Sequence, residues 1–341
     1  MSTAEYARDL PVKQLEAALA RYDLACGPER ELGGGTASPK VIVGAKPNRY
    51  LLRRRRKEFS APEVVAYDHA VIGKLAADGF PVVPPLRARD GRTAVWIEAW
   101  AFEAFPFKEG LERFDPGSLD ELAQAGDLLG RMHAALEAFT PPGRKDWPRE
   151  FRMATNLPVL EAALAAQPGA PAAQTALARR MLEAGRRVAA ELTDARYAAL
   201  PHTIVHGDYT WANLTFQRGK LAGVFDFDWT YRQARLDDVN RAVLFLAFPR
   251  ASGFDDASIW SLVEPYVCDR ARARIFLEAY AARHAFTPEE RALLPWYLRE
   301  TFLSCRIRAM RKVPDERKLE ILTFGMGPLL ERWAELDELL R

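Results

Sequence analysis

Residues 203–216 read TIVHGDYTWANLTF, and residues 221–229 read LAGVFDFDW. His206, Asp208 and Asn213 stand in the pattern H-x-D-x-x-x-x-N, and Asp226 and Asp228 follow on the second stretch. The segment HTIVHGD reads as an apolar run ending in a polar loop, and NLTF and LAGVFDF read as two short strands joined by QRGK. A hairpin of those strands brings Asn213 and Asp226 to the same end, away from the turn, with Asp208 in the loop just before. An imidazole, an amide and three carboxylates are thereby gathered within 23 residues.

That donor set has a chemistry. Hard oxygen ligands of mixed charge suit magnesium, which takes one or two protein ligands and completes its shell with water and phosphate oxygens. Zinc is disfavoured, because the stretch holds no cysteine and its one other nearby histidine, His202, has no partner pattern. A further carboxylate that is not bound to metal can take a proton from a hydroxyl. With a glycine-rich segment near the front of the chain, GGGTAS at residues 33–38, these are the parts of a phosphoryl transfer from a nucleotide.

Composition narrows the alternatives. The chain has 341 residues, about two domains' worth, and 49% of them are hydrophobic. A net charge of +2 argues against a dedicated nucleic-acid or membrane-surface protein. The three cysteines, Cys26, Cys268 and Cys305, form no zinc spacing and no disulfide framework, which suits a reducing cytoplasm. The first 22 residues show no apolar signal region, and no run reaches the length of a membrane span. A cytoplasmic protein, monomeric or homodimeric, with no membrane or nucleic-acid partner, is expected.

Outward from the motif the chain divides. Residues 12–23 read as an amphipathic helix through Val12, Leu15, Leu19 and Tyr22. Val41 to Val43 and NRYLLRRR read as antiparallel strands, and Pro62 to Gly79 as a helix with proline in its first turn. FPVVPPL and RTAVWIEAWAFEAFPF add extended segments around an Asp90-Gly91 turn. From about residue 109 the periodicity is helical, with Ser118 and Glu121 patterned as a capping box and two alanine-rich helices near 157–166 and 172–193.

HGDYTWAN followed by GVFDFDW resembles the aminoglycoside phosphotransferase, choline kinase and homoserine kinase-like superfamily, small-molecule relatives of the protein kinases. The likeness runs in order through the glycine loop, the YLLR strand, the helix before GFPVVPPL, an aromatic hinge, the LGRMH helix, the two motifs and RLDDVNRAV. It implies a two-lobed α+β fold: an N-lobe over about 1–103, small and antiparallel with one main helix; a hinge at 104–108; and a mainly helical C-lobe over 109–341 carrying the catalytic hairpin. Helices at about 144–195 would cap the acceptor.

The resemblance also implies roles. Asp208 matches the catalytic aspartate, His206 the residue that packs its loop, and Asn213 and Asp226 the magnesium ligands. Asp238 resembles the aspartate that holds the loop's backbone. Arg53 stands where the phosphate-pairing cation belongs, and Gly34, Gly35 and Thr36 form the candidate phosphate loop. Asp68 or Glu63 is the candidate helix partner of Arg53. Phe105 and Phe107 either flank an adenine or are plain core. Asp228 is either a second metal ligand or a strand-end carboxylate. In the run Arg53 to Lys57, one arginine lines a phosphate pocket and the others are solvated, since alternate strand residues face opposite sides. His133 reads as a buried structural histidine.

The implied reaction moves the γ-phosphoryl group of ATP, with Mg2+, to a small-molecule hydroxyl. Residues 141–200 hold nine Lys/Arg against six Asp/Glu. That balance favours an amino alcohol, an amino acid such as homoserine, or a sugar over a polycationic aminoglycoside. An aminoglycoside-type acceptor, and a nucleotide-binding scaffold without turnover, stay as the other readings. A protein kinase is disfavoured, because HGD replaces the usual H-R-D and no activation segment follows Asp226.

Overall fold

The computed structural model describes residues 10–24, 31–32, 38–147, 149, 152–250, 260, 263–264 and 266–339. Gly34, Gly35, Thr36 and Cys26 lie outside the described residues. Along the chain run α1 (Val12–Tyr22), β1 (Glu31–Leu32), β2 (Lys40–Ala45), β3 (Asn48–Arg54), α2 (Pro62–Ala77), β4 (Val95–Ile97), β5 (Trp100–Pro106) and β6 (Glu112–Arg113). Then come α3 (Leu119–Leu136), α4 (Met153–Ala165), α5 (Ala172–Glu191), α6 (Asp194–Ala198), β7 (His202–Val205), β8 (Leu214–Gln217), β9 (Lys220–Val224) and β10 (Tyr231–Ala234). The remainder is α7 (Leu236–Ala242), α8 (Arg270–Ala281), α9 (Pro288–Met310), α10 (Lys318–Thr323) and α11 (Met326–Glu331).

These elements form two compact units. The first contains Met1–Arg113, Ala138–Asp146 and Asn213–Thr230. Its main sheet has the order β1-β2-β3-β5-β4, antiparallel throughout. Val41, Val43, Leu52, Val95 and Phe102 alternate inward on these strands and bury against Leu15, Ala18, Leu19 and Tyr22 of α1. Val12, expected on the same helix face, is exposed. The segment 104–108, expected as a hinge, is still β5 as far as Pro106, which pairs with Tyr50. The first unit runs on to Arg113. FPVVPPL forms no strand of its own; Val82 makes one parallel bridge to Val224.

The β8–β9 hairpin belongs to this first unit, together with β6, although it was expected among the helices. Its register pairs Leu214 with Val224 and Gln217 with Lys220. Arg218 and Gly219 between them both have positive φ, 52° and 70°, the conformation of a two-residue turn whose twist matches the strands. The sequence QRGK supplies glycine at the second of those positions.

The second unit contains Phe114–Glu137, Trp147–Ala212 and Tyr231–Arg341, and is mainly helical around the short antiparallel pair β7–β10. Helices α3 and α8 pack closely because Gly126 and Gly130 share one face of α3. A Cβ at Gly126 would lie 2.4 Å from the carbonyl oxygen of Phe276, and one at Gly130 2.7 Å from that of Tyr280. The Ser118 hydroxyl caps α3 by accepting from the Glu121 N–H, but the Glu121 carboxylate accepts from Asp115 N–H instead of closing a capping box. A small antiparallel sheet in one unit and a mainly helical second unit make the two-lobed α+β division expected of the sequence.

Candidate active site

In the first unit the hairpin register decides the geometry. The Phe225 N–H donates to the Asn213 carbonyl at 3.0 Å, so Asn213 and Asp226 stand at the same end of the hairpin. Asp226 has φ 63° and ψ 67°, a left-handed conformation that a non-glycine residue adopts at a cost of about 1–3 kcal/mol. That turn takes Asp226 off the strand and leaves its carboxylate 32% exposed. Together Asn213 and Asp226 offer an amide and a carboxylate oxygen, a hard donor pair that fits magnesium.

Around Asp226 lies a network of buried charge. Arg53 donates from Nε to Glu103 at 2.7 Å, from Nη1 to Asp226 at 3.3 Å and from Nη2 to Asp228 at 2.6 Å. Arg55, wholly buried, donates from Nη1 to Glu103 at 2.9 Å and from Nη2 to both Asp68 and Asp228. Lys145 donates to Asp68 and to the carbonyls of Asp228 and Thr230, at 2.7 and 3.0 Å. Three cations therefore face four carboxylates.

Two expectations change here. Asp68 does not pair with Arg53, and Glu63 is exposed; Asp68 pairs with Arg55 and Lys145. Nor is Arg55 a solvated member of the basic run. The period-2 geometry that separates Arg53 from Arg54 returns Arg55 to the side of Arg53. Arg54 instead lies on the Trp100 ring at 4.5 Å, and Arg56 on Phe59 at 4.7 Å. Asp228 accepts from both Arg53 and Arg55 on Oδ1.

The network sets the charge states. Burial alone raises a carboxyl pKa, but at Glu103 the charges of Arg53 and Arg55 outweigh it and hold the group well below its ordinary value. Asp228 is likewise lowered against its burial by the same two arginines. At Asp68 burial wins over Arg55 and Lys145, and the pKa is pushed up to about 6. Lys40, directly opposite Arg53 in the sheet, is lowered by burial while Asp226 and Asp228 act to raise it. Phe105 and Phe107 each carry an arginine near the ring, Arg53 at 5.8 Å and Arg49 at 4.9 Å.

The Asp208 loop is built in the second unit. Asp208 lies in the loop after β7, its carboxylate 35% exposed and 3.8 Å from Arg241. Asp238 fixes that loop. It accepts the His206 N–H at 2.6 Å and the Gly207 N–H at 2.8 Å, and His133 Nε2 approaches it at 3.1 Å. Because a carboxylate only accepts, His133 donates from Nε2, and Nδ1 then takes the Tyr280 hydroxyl at 2.9 Å. His133 is thus the buried structural histidine expected. His206 is buried, and its Nδ1 accepts the Asp208 N–H at 3.2 Å. Burial would raise Asp238, but the His133 hydrogen bond leads the interactions that hold it below its ordinary value.

The signature of the phosphotransferase enzyme family matches residues 29–294. The chain belongs to that family. It is a small-molecule kinase. The phosphotransferase is 28% identical over 290 residues to homoserine kinase from Pseudomonas aeruginosa, covering 84% of this chain and 81% of that protein. Homoserine kinase from Methylobacillus flagellatus is 27% identical over the same length. Among solved structures, a microcompartment-associated aminopropanol kinase superposes with a TM-score of 0.70 at 20% identity, covering 96% of this chain and 99% of that one. An aminoglycoside phosphotransferase from Alicyclobacillus acidocaldarius gives 0.70 at 16% identity, covering 97% and 96%. These two show the shared fold.

Several residues of the buried charge network were not singled out from the sequence. Glu103 carries a readable signal, since a lone carboxylate inside AFEAF needs a buried cation. Lys145 has none: it is one lysine in a Pro/Gly loop, and only the fold brings it to Asp68. Among the described residues no helix is long and apolar enough to cross a membrane.

Proposed function

We propose that this phosphotransferase moves the γ-phosphoryl group of ATP, bound with magnesium, to the hydroxyl of a small molecule: an amino alcohol, a hydroxylated amino acid or a sugar. The observation that carries the reading is the hairpin end, where the register and the left-handed turn at Asp226 set two hard oxygen donors together. Asn213 and Asp226 would hold the ion, whose chemistry is to neutralise phosphate charge. Arg53 would bind donor phosphates; its guanidinium is already held in place by Glu103 through Nε. Asp208 would accept the acceptor's hydroxyl proton as the oxygen bonds to the γ-phosphorus and the bond to the β-phosphate oxygen breaks, releasing ADP. Orientation and charge placement supply most of such a rate enhancement.

The relatives support this choice of donor and acceptor. Homoserine kinases are among the sequence matches, and one similar structure is an amicoumacin kinase in complex with AMP-PNP and Ca2+. The test is ADP release from ATP and magnesium across a panel of amino alcohols, hydroxy amino acids, sugars and aminoglycosides. Turnover on a small hydroxyl acceptor that stops on chelation of magnesium is expected. ADP release by none of them, or only by an aminoglycoside, would overturn the reading.

A further inference from the structure

Arg53, the cation assigned to the donor phosphates, is already heavily engaged. Each of its three guanidinium nitrogens reaches a carboxylate: Glu103 through Nε, Asp226 through Nη1 and Asp228 through Nη2. The network around it is short of positive charge, since Arg53, Arg55 and Lys145 face Asp68, Glu103, Asp226 and Asp228. A polyphosphate brought to that cluster meets a net negative charge, and a further cation beside Arg53 would offset it.

Lys40 stands at that place, all within the first unit. It opens β2 and pairs with Arg53 in the sheet register, and Arg53 pairs on its other side with Glu103. Directly opposite residues present their side chains on one face, with Cβ atoms about 4.5–5.5 Å apart. The next row on that face is Ile42, Leu51 and Phe105, about 7 Å along the strands. Val41, Val43 and Leu52 point to the other face, where α1 covers them. The face of Lys40 therefore has a charged end and an apolar end, and Leu51 and Phe105 on it are only half-buried. A nucleotide has the same polarity, a flat apolar base joined to a charged tail.

Lys40 is half-buried, and the charges that act on it are those of Asp226, Arg53 and Asp228. Its ammonium nevertheless makes no ion pair or hydrogen bond among the described residues. It has lost part of its water without gaining a partner. Unlike the fixed fork of Arg53, an ammonium on a four-carbon stem can turn its donors to follow an anion.

We propose that Lys40 is the second cation of the donor site, its ammonium binding phosphate oxygens of the nucleotide beside Arg53. This rests on the kinase reading above and deepens it: Arg53 is the cation held in place by carboxylates, and Lys40 the one left to engage the phosphates.

The test is titration calorimetry of the full chain, in magnesium, with ATP, ADP and adenosine. Lys46→Gln is the control: Lys46 lies in the turn after β2, its side chain is 70% exposed and it pairs with Glu109, so the same charge is removed from the same hairpin away from the cluster. In Lys40→Gln the affinity for ATP and ADP should fall by at least about tenfold, the loss of one charge-assisted hydrogen bond, while that for adenosine holds. Lys40→Arg keeps a cation and should lose less. Lys46→Gln should stay within about threefold of the parent. The melting temperature of Lys40→Gln should hold or rise, because an ammonium without a partner is removed from a half-buried place. A lysine that merely steadies Asp226 predicts the opposite sign, since its removal frees that carboxylate for magnesium and leaves ATP bound as tightly or more so; that result overturns the inference. So does a loss shared by adenosine, a loss matched by Lys46→Gln, or a Lys40→Gln chain that does not fold, each of which marks Lys40 as structural. These outcomes leave the kinase reading standing. A parent that binds neither ATP nor ADP overturns the kinase reading and takes this inference with it.

Discussion

Replacing Arg55 by glutamine isolates the contribution of the buried charge network. Arg55 touches Glu103, Asp68 and Asp228, and none of these four side chains is more than 7% exposed. Three lost pairs do not sum, because each carboxylate keeps another donor. Glu103 retains Arg53 and His69, Asp68 retains Lys145, and Asp228 retains Arg53. The cost is that of one uncompensated buried charge, about 3–5 kcal/mol. For a unit of this size it corresponds to a melting-temperature drop on the order of 10 °C. Arg54→Gln and Arg56→Gln serve as controls and should each cost less than about 1 kcal/mol, since both side chains are only half-buried and neither pairs with a buried carboxylate.

The pH dependence gives a second arm. Without Arg55 the three carboxyls have higher pKa values in the folded protein. A raised folded pKa contributes stability that is complete below the unfolded value, near 4, and is lost as pH rises through the folded value. The gap between variant and parent should therefore be wide at pH 7.5 and narrow on acidification toward pH 5.5. Urea denaturation at both pH values, with calorimetry at the first, measures it. An Arg55→Gln variant that melts with the Arg54→Gln control, or whose deficit does not depend on pH, would refute the reasoning.

The other predictions concern the site. Asp208→Asn should lower kcat by on the order of 10²–10⁴-fold while melting temperature and nucleotide affinity hold, measured by steady-state kinetics and calorimetry; near-normal turnover removes Asp208 from the chemistry. Asp226→Ala should abolish magnesium-dependent ATP binding in titration calorimetry, and unchanged affinity would sink its assignment to the ion. For Asp237, burial pushes the pKa up to about 6 against the opposing effects of Arg149, the Tyr197 hydroxyl and Arg241, with Asp238 adding to the rise. Removing that charge by Asp237→Asn should therefore raise the melting temperature more at pH 7.5 than at pH 5, measured by calorimetry; a change that does not depend on pH counts against the shift. Asp238→Asn turns an amide N–H toward groups that already donate, and should lower both melting temperature and kcat.

How far the sequence could be read depended on the length scale of each interaction. The hairpin was legible because its register follows from two apolar runs and a turn with glycine, all within a dozen residues. The loop clamp was legible through the resemblance, which marked Asp238 and set it apart from Asp237. The partner of Asp68 was not legible, because Arg53 and Arg55 differ by one strand period and both fit the expectation of an inward arginine. Only the paired register of β3 with β5, which sets Arg53 opposite Glu103, shows that two arginines share one buried acid. Lys145 depended on the path of the loop after α3. Gly143 sets that path: with φ 87° and a virtual Cβ only 2.2 Å from the Glu63 carbonyl, any larger residue would push the loop off α2.

Asp237 and Asp238 show why burial alone does not assign a role. They are neighbours on α7, about 100° apart around its axis, and both are largely withdrawn from water. Asp238 points at two backbone N–H groups and an imidazole N–H, and these outweigh its burial; it stays ionised and holds the Asp208 loop. Its contribution to stability is present above the unfolded pKa, near 4, and is lost as pH falls through the lower folded value. Asp237 meets one phenol and a guanidinium out of hydrogen-bonding range, and its burial prevails. A carboxylate left in that state costs stability at neutral pH: the folded form gains only below about pH 6, and that gain is lost as pH rises through it. The two adjacent carboxylates thus differ by their donors: one is held ionised and fixes the Asp208 loop, and the other is pushed by its burial toward the protonated form.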